Sequence, residues 1–205
     1  MTGITEETCK LKQGFLLDVA SGRGVLLRQL LKSCHTDVHI ISADLSFDVL
    51  KYDKFKLKNI APTVKVSYLA CDCTQLPIKD DCLDGVCTFV GIVNMLHLAE
   101  KGIGEAARVL KPGASLINAC IYMDSNTPGF KNVSKVLREN GSAEAEKILI
   151  KEELLDIHKK YFTSLEEKIM YDGIAENSPN DLIPCEGEWF ADVVLIAKKG
   201  TENME

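Results

Sequence analysis

The chain has 205 residues, which suits one domain and is too short for two of ordinary size. Hydrophobic residues make up 46% and charged residues 26%, which excludes wholesale disorder. The formal net charge of −6 offers no electrostatic footprint for duplex nucleic acid or an anionic membrane.

The opening MTGITEETCK carries Glu6 and Glu7 without an apolar core, so it does not read as a signal peptide. The densest apolar run, Val86 to Val93, is too short to span a bilayer. The cysteines Cys9, Cys34, Cys71, Cys73, Cys82, Cys87, Cys120 and Cys185 contain no CxxC and no zinc-type Cys/His spacing. No metal is therefore expected. Several lie in apolar strand-like runs, where cysteine behaves as a small hydrophobe. Buried free thiols in a soluble, cytoplasmic protein are expected.

Along the chain, strand-like runs alternate with helix-like segments. Phe15 to Val19 is a short apolar run that ends in a glycine-rich turn. Gly24 to Ser33 reads as a helix with Val25, Leu26, Leu30 and Leu31 on one stripe. Val38 to Ala43 is a second strand. Ser46 caps a helix that runs to about Lys58, and Pro62 closes the connection. Val64 to Ala70 and the nearly all-apolar Leu83 to Val90 are the third and fourth strands, the latter patterned for burial on both faces. Ile103 to Leu110 is a helix stopped by Lys111-Pro112-Gly113, and Ala114 to Tyr122 is the fifth strand. Such alternation predicts βαβ units and a parallel sheet.

After Tyr122 the rhythm changes. Asp124 to Gly129 is rich in turn formers. Val133 to Glu139 and Ser142 to about Phe162 read as helices, the second with Ile150, Leu154, Ile157 and Tyr161 along one face. That face predicts either packing onto the domain or a substrate-facing cover. Two final strands, about Ser164 to Tyr171 and Glu188 to Lys198, are joined by a loop with Pro179 and Pro184. The loop is too short for a helical crossover and predicts an antiparallel hairpin.

The strongest local signal is Leu17-Asp18-Val19-Ala20-Ser21-Gly22-Arg23-Gly24 between a strand and a helix. Small residues there let a ligand approach the backbone, and the helix start offers free amides. Asp44, at the end of the next strand, is placed to accept hydrogen bonds from two ribose hydroxyls. A dinucleotide site would use the same geometry. However, Leu27 stands where that fingerprint needs a third small residue, and Asp18 would repel a pyrophosphate. A cationic ligand group, such as an ammonium, suits Asp18 better.

At these residues the chain resembles the class I S-adenosylmethionine-dependent methyltransferases. Asp18-x-Ala20-x-Gly22-x-Gly24 is similar to the family's first motif, with alanine in place of its first glycine. Asp44-Leu45-Ser46 resembles the acidic end of its second strand. Asp72-Cys73-Thr74-Gln75-Leu76-Pro77-Ile78 resembles its adenine-binding segment. Leu83-Asp84-Gly85-Val86 and Arg108-Val109-Leu110-Lys111-Pro112-Gly113 resemble the motifs at the fourth and fifth strands. Thr88-Phe89-Val90-Gly91-Ile92-Val93-Asn94 narrows the likeness to the quinone-biosynthesis-like, type 11 subgroup.

The resemblance implies a single α/β, Rossmann-like methyltransferase domain over 1–205. It implies a seven-stranded, mostly parallel sheet with a C-terminal antiparallel hairpin, the last strand inserted between the fifth and sixth, and helices on both faces. A helical cover at 123–162 would lie between strands five and six. Few residues precede Phe15, where class I enzymes commonly carry further helices, so a trimmed or reduced lid is expected. The implied cofactor is S-adenosyl-L-methionine. Asp18 would orient its ammonium beside Ala20, Gly22 and Gly24, and Asp44 would hold the ribose. Leu45 would pack on adenine, Asp72 and Cys73 would read its edge, and Phe89 and Val90 would close the methionine end.

The implied reaction is in-line methyl transfer to a small-molecule acceptor, with no nucleic acid partner. The DPPY-like signature of exocyclic-amine methyltransferases is absent after the fourth strand. Asn94 and His97 are the catalytic candidates near the fourth strand, although a lone histidine between Leu96 and Leu98 is more often a packed structural residue. Tyr122, Met123 and Asp124 are the substrate-facing candidates after the fifth, Asp124 doubling as a turn former. The competing readings are a non-catalytic, cofactor-binding regulatory module and, disfavoured by Leu27 and Asp18, an NAD-dependent oxidoreductase.

Overall fold

The computed structural model describes residues 2–176 and 185–201, so the loop containing Pro179 and Pro184 lies outside the described residues. The chain runs α1 (Thr2–Thr8), β1 (Gly14–Val19), α2 (Val25–Ser33), β2 (Val38–Asp44), α3 (Phe47–Leu57), β3 (Lys65–Ala70) and β4 (Leu83–Phe89). A 3₁₀ segment, Val93–Leu98, leads into α4 (Ala99–Val109), β5 (Leu110–Met123) and α5 (Pro128–Glu139). A second 3₁₀ segment, Ala143–Leu149, precedes α6 (Lys151–Lys159), β6 (Ser164–Ile174) and β7 (Trp189–Lys198).

The sheet has seven strands in the order β3-β2-β1-β4-β5-β7-β6. β1 pairs in parallel with β2 and β4, β2 with β3, and β4 with β5. β7 runs antiparallel between β5 and β6, as the resemblance implies. The two faces carry separate cores, because alternate strand residues point to opposite sides. On one face Leu17, Val86 and Leu116 pack with Ile103 of α4 and Leu154 of α6. On the other, Leu16, Cys87 and Ile117 pack with Ile4 of α1 and Leu26 and Leu30 of α2. Val86 and Cys87, neighbours in β4, are both wholly buried, which accounts for that strand's unbroken apolar run.

Five sequence expectations are corrected. First, residues before β1 form a helix, α1, whose Ile4 enters the core. Its short, threonine-rich turns carry little helical signal of their own. Second, Val25 of α2 is half exposed and Leu27 takes its place in the core.

Third, the span from Ser142 to Phe162 is not one helix. Ile150 is extended (φ −99°, ψ 123°) between Ala143–Leu149 and α6. In one continuous helix Ile148 and Ile157 would point about 180° apart at about 100° per residue. Breaking the helix lets both enter the same core. Of the predicted face, Leu154 and Ile157 are buried and Tyr161 remains exposed.

Fourth, the Lys111-Pro112-Gly113 turn lies inside β5. There the register jumps from Leu83↔Leu110 to Gly85↔Ser115, and Gly113 has φ +80°. Fifth, only Cys73, Cys87 and Cys120 are fully buried; Cys185 is exposed and the remainder are half buried. No helix among the described residues is long and apolar enough to cross a membrane.

The segment between β5 and β6 therefore contributes to the domain's packing. Leu154→Ala is expected to lower the unfolding free energy by about 2–5 kcal/mol. Tyr161→Ala should change it by less than about 1 kcal/mol. Urea denaturation of both variants checks this, and equal effects would show that α6 does not bury its apolar face.

Candidate functional site

Parallel pairing brings the C-terminal ends of β1, β2, β3 and β4 to one edge of the sheet. The loop after β1 turns through three left-handed residues, Ala20 (φ 52°), Gly22 (φ 54°) and Gly24 (φ 61°). Only glycine adopts such angles without steric cost, so Ala20 is strained. A Cβ on Gly24 would stand 2.9 Å from Asp53 Oδ2. A Cβ on Gly91 would lie 2.8 Å from Ala20 Cβ, so the loops after β1 and β4 touch there. Val90 beside it is also left-handed (φ 59°). Left-handed non-glycine backbone persists only where the surrounding structure holds it.

The loop is tied to β2. Gly22 N donates to Asp44 Oδ2 (2.8 Å), Ser46 N donates to Asp44 Oδ1 (2.9 Å), and Ser21 N donates to Ala43 O (3.0 Å). Ser46 in turn caps α3, its Oγ accepting from Val49 N (3.3 Å). Each Asp44 oxygen retains capacity for a further donor.

Beneath the loop lies a second kind of carboxylate. Asp18 is fully buried, and neither of its carboxylate oxygens has a hydrogen-bond partner. Burial, reinforced by the charges of Asp44 and Asp53, pushes its pKa up to about 8. Asp53 on α3 is buried as well, with Oδ2 unpartnered. Burial raises its pKa to about 6, against the opposing pull of Arg28. A buried, unsatisfied carboxyl is costly, and a cationic group that reached Asp18 would relieve it.

A cavity of about 320 Å³ opens beside this cluster. Asp44, Asp72, Thr74 and Asn94 give it polar groups, and Leu45, Met95 and Leu98 give it apolar walls. Leu45 projects with 77% of its surface exposed, an apolar platform at the cavity's rim. Asp72 Oδ1 accepts from Thr74 N and Thr74 Oγ1, both at 2.8 Å, which holds its carboxyl below the usual range. A second cavity of similar size lies towards β7, lined by Phe89, Val90, Ile4, Met170 and Asp192 among others.

The structure thus brings Ala20, Asp44, Leu45, Asp72, Cys73 and Asn94 to one cavity, with Asp18, Gly22 and Gly24 in the adjoining loop and strand end. Phe89 and Val90 line the second cavity instead. The remaining candidates stand apart from both. His97 is exposed, with Nδ1 3.2 Å from Ser142 Oγ in the contact between the two 3₁₀ segments. Tyr122 is buried, its hydroxyl donating to Glu167 Oε2 (2.9 Å), and Met123 is buried in the core. Asp124 Oδ1 accepts from Asn126 N (2.8 Å), a turn-closing bond. Core packing holds Tyr122 and Met123, and turn chemistry holds Asp124.

Two site residues escape a sequence reading. Asp53 falls on the buried stripe of α3 between Leu50 and Leu57, and a charged residue on an apolar stripe is the signal that would have found it. Gly91 is required by a contact between loops far apart in sequence. No cluster of three metal-ligating side chains occurs among the described residues.

The fold is that of the class I methyltransferase-like proteins, and solved structures share it. A putative methyltransferase from Bacillus halodurans superposes with a TM-score of 0.69 over 98% of both chains, at 16% identity. The phosphoethanolamine N-methyltransferase 2 of Haemonchus contortus, solved with S-adenosylhomocysteine, gives 0.68 over 98% of this chain and 52% of its own, at 17% identity.

Residues 2–166 match the model of the ubiE/COQ5 methyltransferase family, and the chain belongs to that family. The ubiquinone/menaquinone biosynthesis C-methyltransferase of Pseudomonas paraeruginosa is 32% identical over 102 residues, 50% of this chain and 40% of that protein. The demethylmenaquinone methyltransferase of Clavibacter sepedonicus is likewise 32% identical, over 50% of this chain and 39% of its own. The chain spans well under two thirds of these curated relatives.

Asp18 has a consequence for stability. Its pKa is raised in the folded state, so its stabilising contribution is complete below the unfolded value near 4 and is lost as pH rises through about 8. Asp18→Asn removes that loss. The variant's stability advantage over the wild type should grow on going from pH 5 to pH 8.5, by on the order of 3–5 kcal/mol. Urea titrations at several pH values check this, and a pH-independent difference would refute the buried, protonated carboxyl.

Proposed function

We propose that this chain is an S-adenosylmethionine-dependent methyltransferase that acts on a small-molecule acceptor. The observation that carries the reading is Asp18, a wholly buried carboxyl with both oxygens unpartnered beneath a left-handed glycine loop. A cofactor with an ammonium end fits it. The pyrophosphate of a dinucleotide does not, with Asp18, Asp44 and Asp53 gathered there.

In this reading Asp18 receives the ammonium, and Ala20, Gly22 and Gly24 give the close backbone approach. Asp44, already oriented by Gly22 N and Ser46 N, accepts from the ribose hydroxyls. Leu45 supplies an apolar face for adenine. Asp72, fixed by Thr74, and the Cys73 backbone amide read the adenine edge. The cofactor contributes an electrophilic methyl on a sulfonium.

The chain's own task is alignment and exclusion of water. Two consecutive residues support that division: Val90 lines the second cavity, while Gly91 lines the cavity that holds Asp44 and Asp72. The first cavity is assigned to the cofactor. The second, apolar apart from groups such as Asp192, is assigned to the acceptor side, with Phe89 at its wall. Asn94, also in the first cavity, is a neutral polar side chain placed to orient a bound group, whereas His97 takes no part. The names of the curated relatives make quinone precursors the first acceptors to assay.

Titration calorimetry with S-adenosylhomocysteine tests the cofactor site. Binding is expected, NADH should not bind, and Asp44→Ala should weaken affinity by about 1–3 kcal/mol. Unchanged affinity in folded Asp44→Ala would show the ribose carboxylate to be misplaced. Ionising Asp18 against the ammonium should also release a proton, so affinity should rise from pH 6 to pH 8. A methylated product from a pool of small acceptors then separates an enzyme from a binding module.

A further inference from the structure

Two cysteines lie apart from the candidate site. Cys9 follows α1, its N–H donating to Thr5 O (2.9 Å), and Cys34 caps α2, its N–H donating to Leu30 O (2.8 Å). The two helices share one core through Ile4, Leu26, Leu27 and Leu30, so both cysteine backbones are held in place. Their sulfur atoms are 2.8 Å apart, a short approach from the bonded distance of about 2.05 Å.

The pair is chemically asymmetric. A hydrogen bond from Cys34 lowers the Cys9 thiol pKa, with help from Lys12, whose Nζ donates to Cys9 O (3.4 Å). Cys34 is pushed up as the partner that keeps its proton. Thiolate character at Cys9 is what nucleophilic attack needs. Cys9 also lines an open cavity of about 430 Å³ with Thr2, Glu6 and Gln29, room for a peptide-sized reagent. The Cys71 thiol pKa is likewise lowered, by a hydrogen bond from Cys73, but Cys73 lines the Asp44 cavity. Cys82 Sγ donates to Lys79 O (3.0 Å). Cys87 and Cys120 are buried, Cys73 is buried beside Cys71, and Cys185 is exposed.

We propose that Cys9 and Cys34 form a reversible oxidation site, a dithiol that a disulfide oxidant of the glutathione class converts into an intramolecular bond tying α1 to α2. The Cys9 thiolate attacks one sulfur of oxidised glutathione, breaks its S–S bond and displaces one glutathione thiolate, which takes up a proton. Cys34 gives up its proton, attacks the Cys9 sulfur of the mixed disulfide and displaces the second glutathione. Two protein thiols are oxidised and one glutathione disulfide is reduced to two glutathiones.

The new loop encloses β1, the Asp18–Gly24 segment and α2. Closing it removes conformational freedom from the unfolded chain.

Trypsin cleaves after Lys10 and Lys32, so Cys9 and Cys34 fall in the peptides Met1–Lys10 and Ser33–Lys51, each with a single cysteine. Folded protein is incubated with oxidised glutathione, blocked with iodoacetamide and digested. The expected product is the two peptides joined and two hydrogens lighter than their sum, separated again by dithiothreitol. Tm of the oxidised protein should rise by on the order of 5–10 °C. Cys34→Ser should stop at a glutathione adduct on Cys9 and lose that rise. Recovery of both peptides unlinked from folded wild type, while Cys185 carries glutathione, would overturn the proposal.

Discussion

The Asp44 carboxylate is the constraint on which the rest of the site depends. One of its oxygens accepts from Gly22 N and the other from Ser46 N, so a single side chain fixes the loop after β1 and the start of α3. Its backbone carbonyl accepts from Cys71 N (3.0 Å), which brings in the strand that leads to Asp72. Hydrogen bonds to a charged group contribute about 1.5–3 kcal/mol each. Three chain segments far apart in sequence thereby share one anchor, and the cavity forms among them.

That anchor holds an arrangement that is unfavourable in itself. Asp18 and Asp53 lie near Asp44 with carboxylate oxygens left unpartnered, and Ala20 and Val90 are held in left-handed backbone. Each such feature costs on the order of 1–3 kcal/mol. The two cores, built on opposite faces of a seven-stranded sheet, offset that cost. Strain and unsatisfied polarity concentrate at the sheet edge where the strands end, which is where open α/β sheets place their ligands. A cationic ligand would release part of this stored energy on binding.

The segment after β5 shows how packing competes with function for the same amphipathic signal. Leu154 and Ile157 are buried, and Ile148 and Leu149 join them only because the chain breaks at Ile150. Tyr122 is turned to the same side, where its hydroxyl meets Glu167 and its ring lies under Lys151. A cavity lined by Phe89, Val90, Ile4 and Met170 opens towards β7. α1 thus forms one wall of that cavity, a role its weak helical pattern does not announce.

The succession of strands and helices and the antiparallel C-terminal pair were legible in the sequence, because they depend on short-range signals: apolar periodicity, turn formers and connection length. The insertion of the last strand, and the roles expected of the residues around Asp18 and Asp44, came with the family resemblance. The tertiary structure alone decided the rest. It put Asp53 beneath Gly24, made Gly91 necessary by pressing it against Ala20, and set Cys9 beside Cys34. It also divided Phe89 and Val90 from the Asp44 cavity and turned Tyr122 and Met123 into the core. Which face a strand residue takes at its end, and which loops touch, depend on the register and twist of neighbouring strands, and no local pattern carries that information.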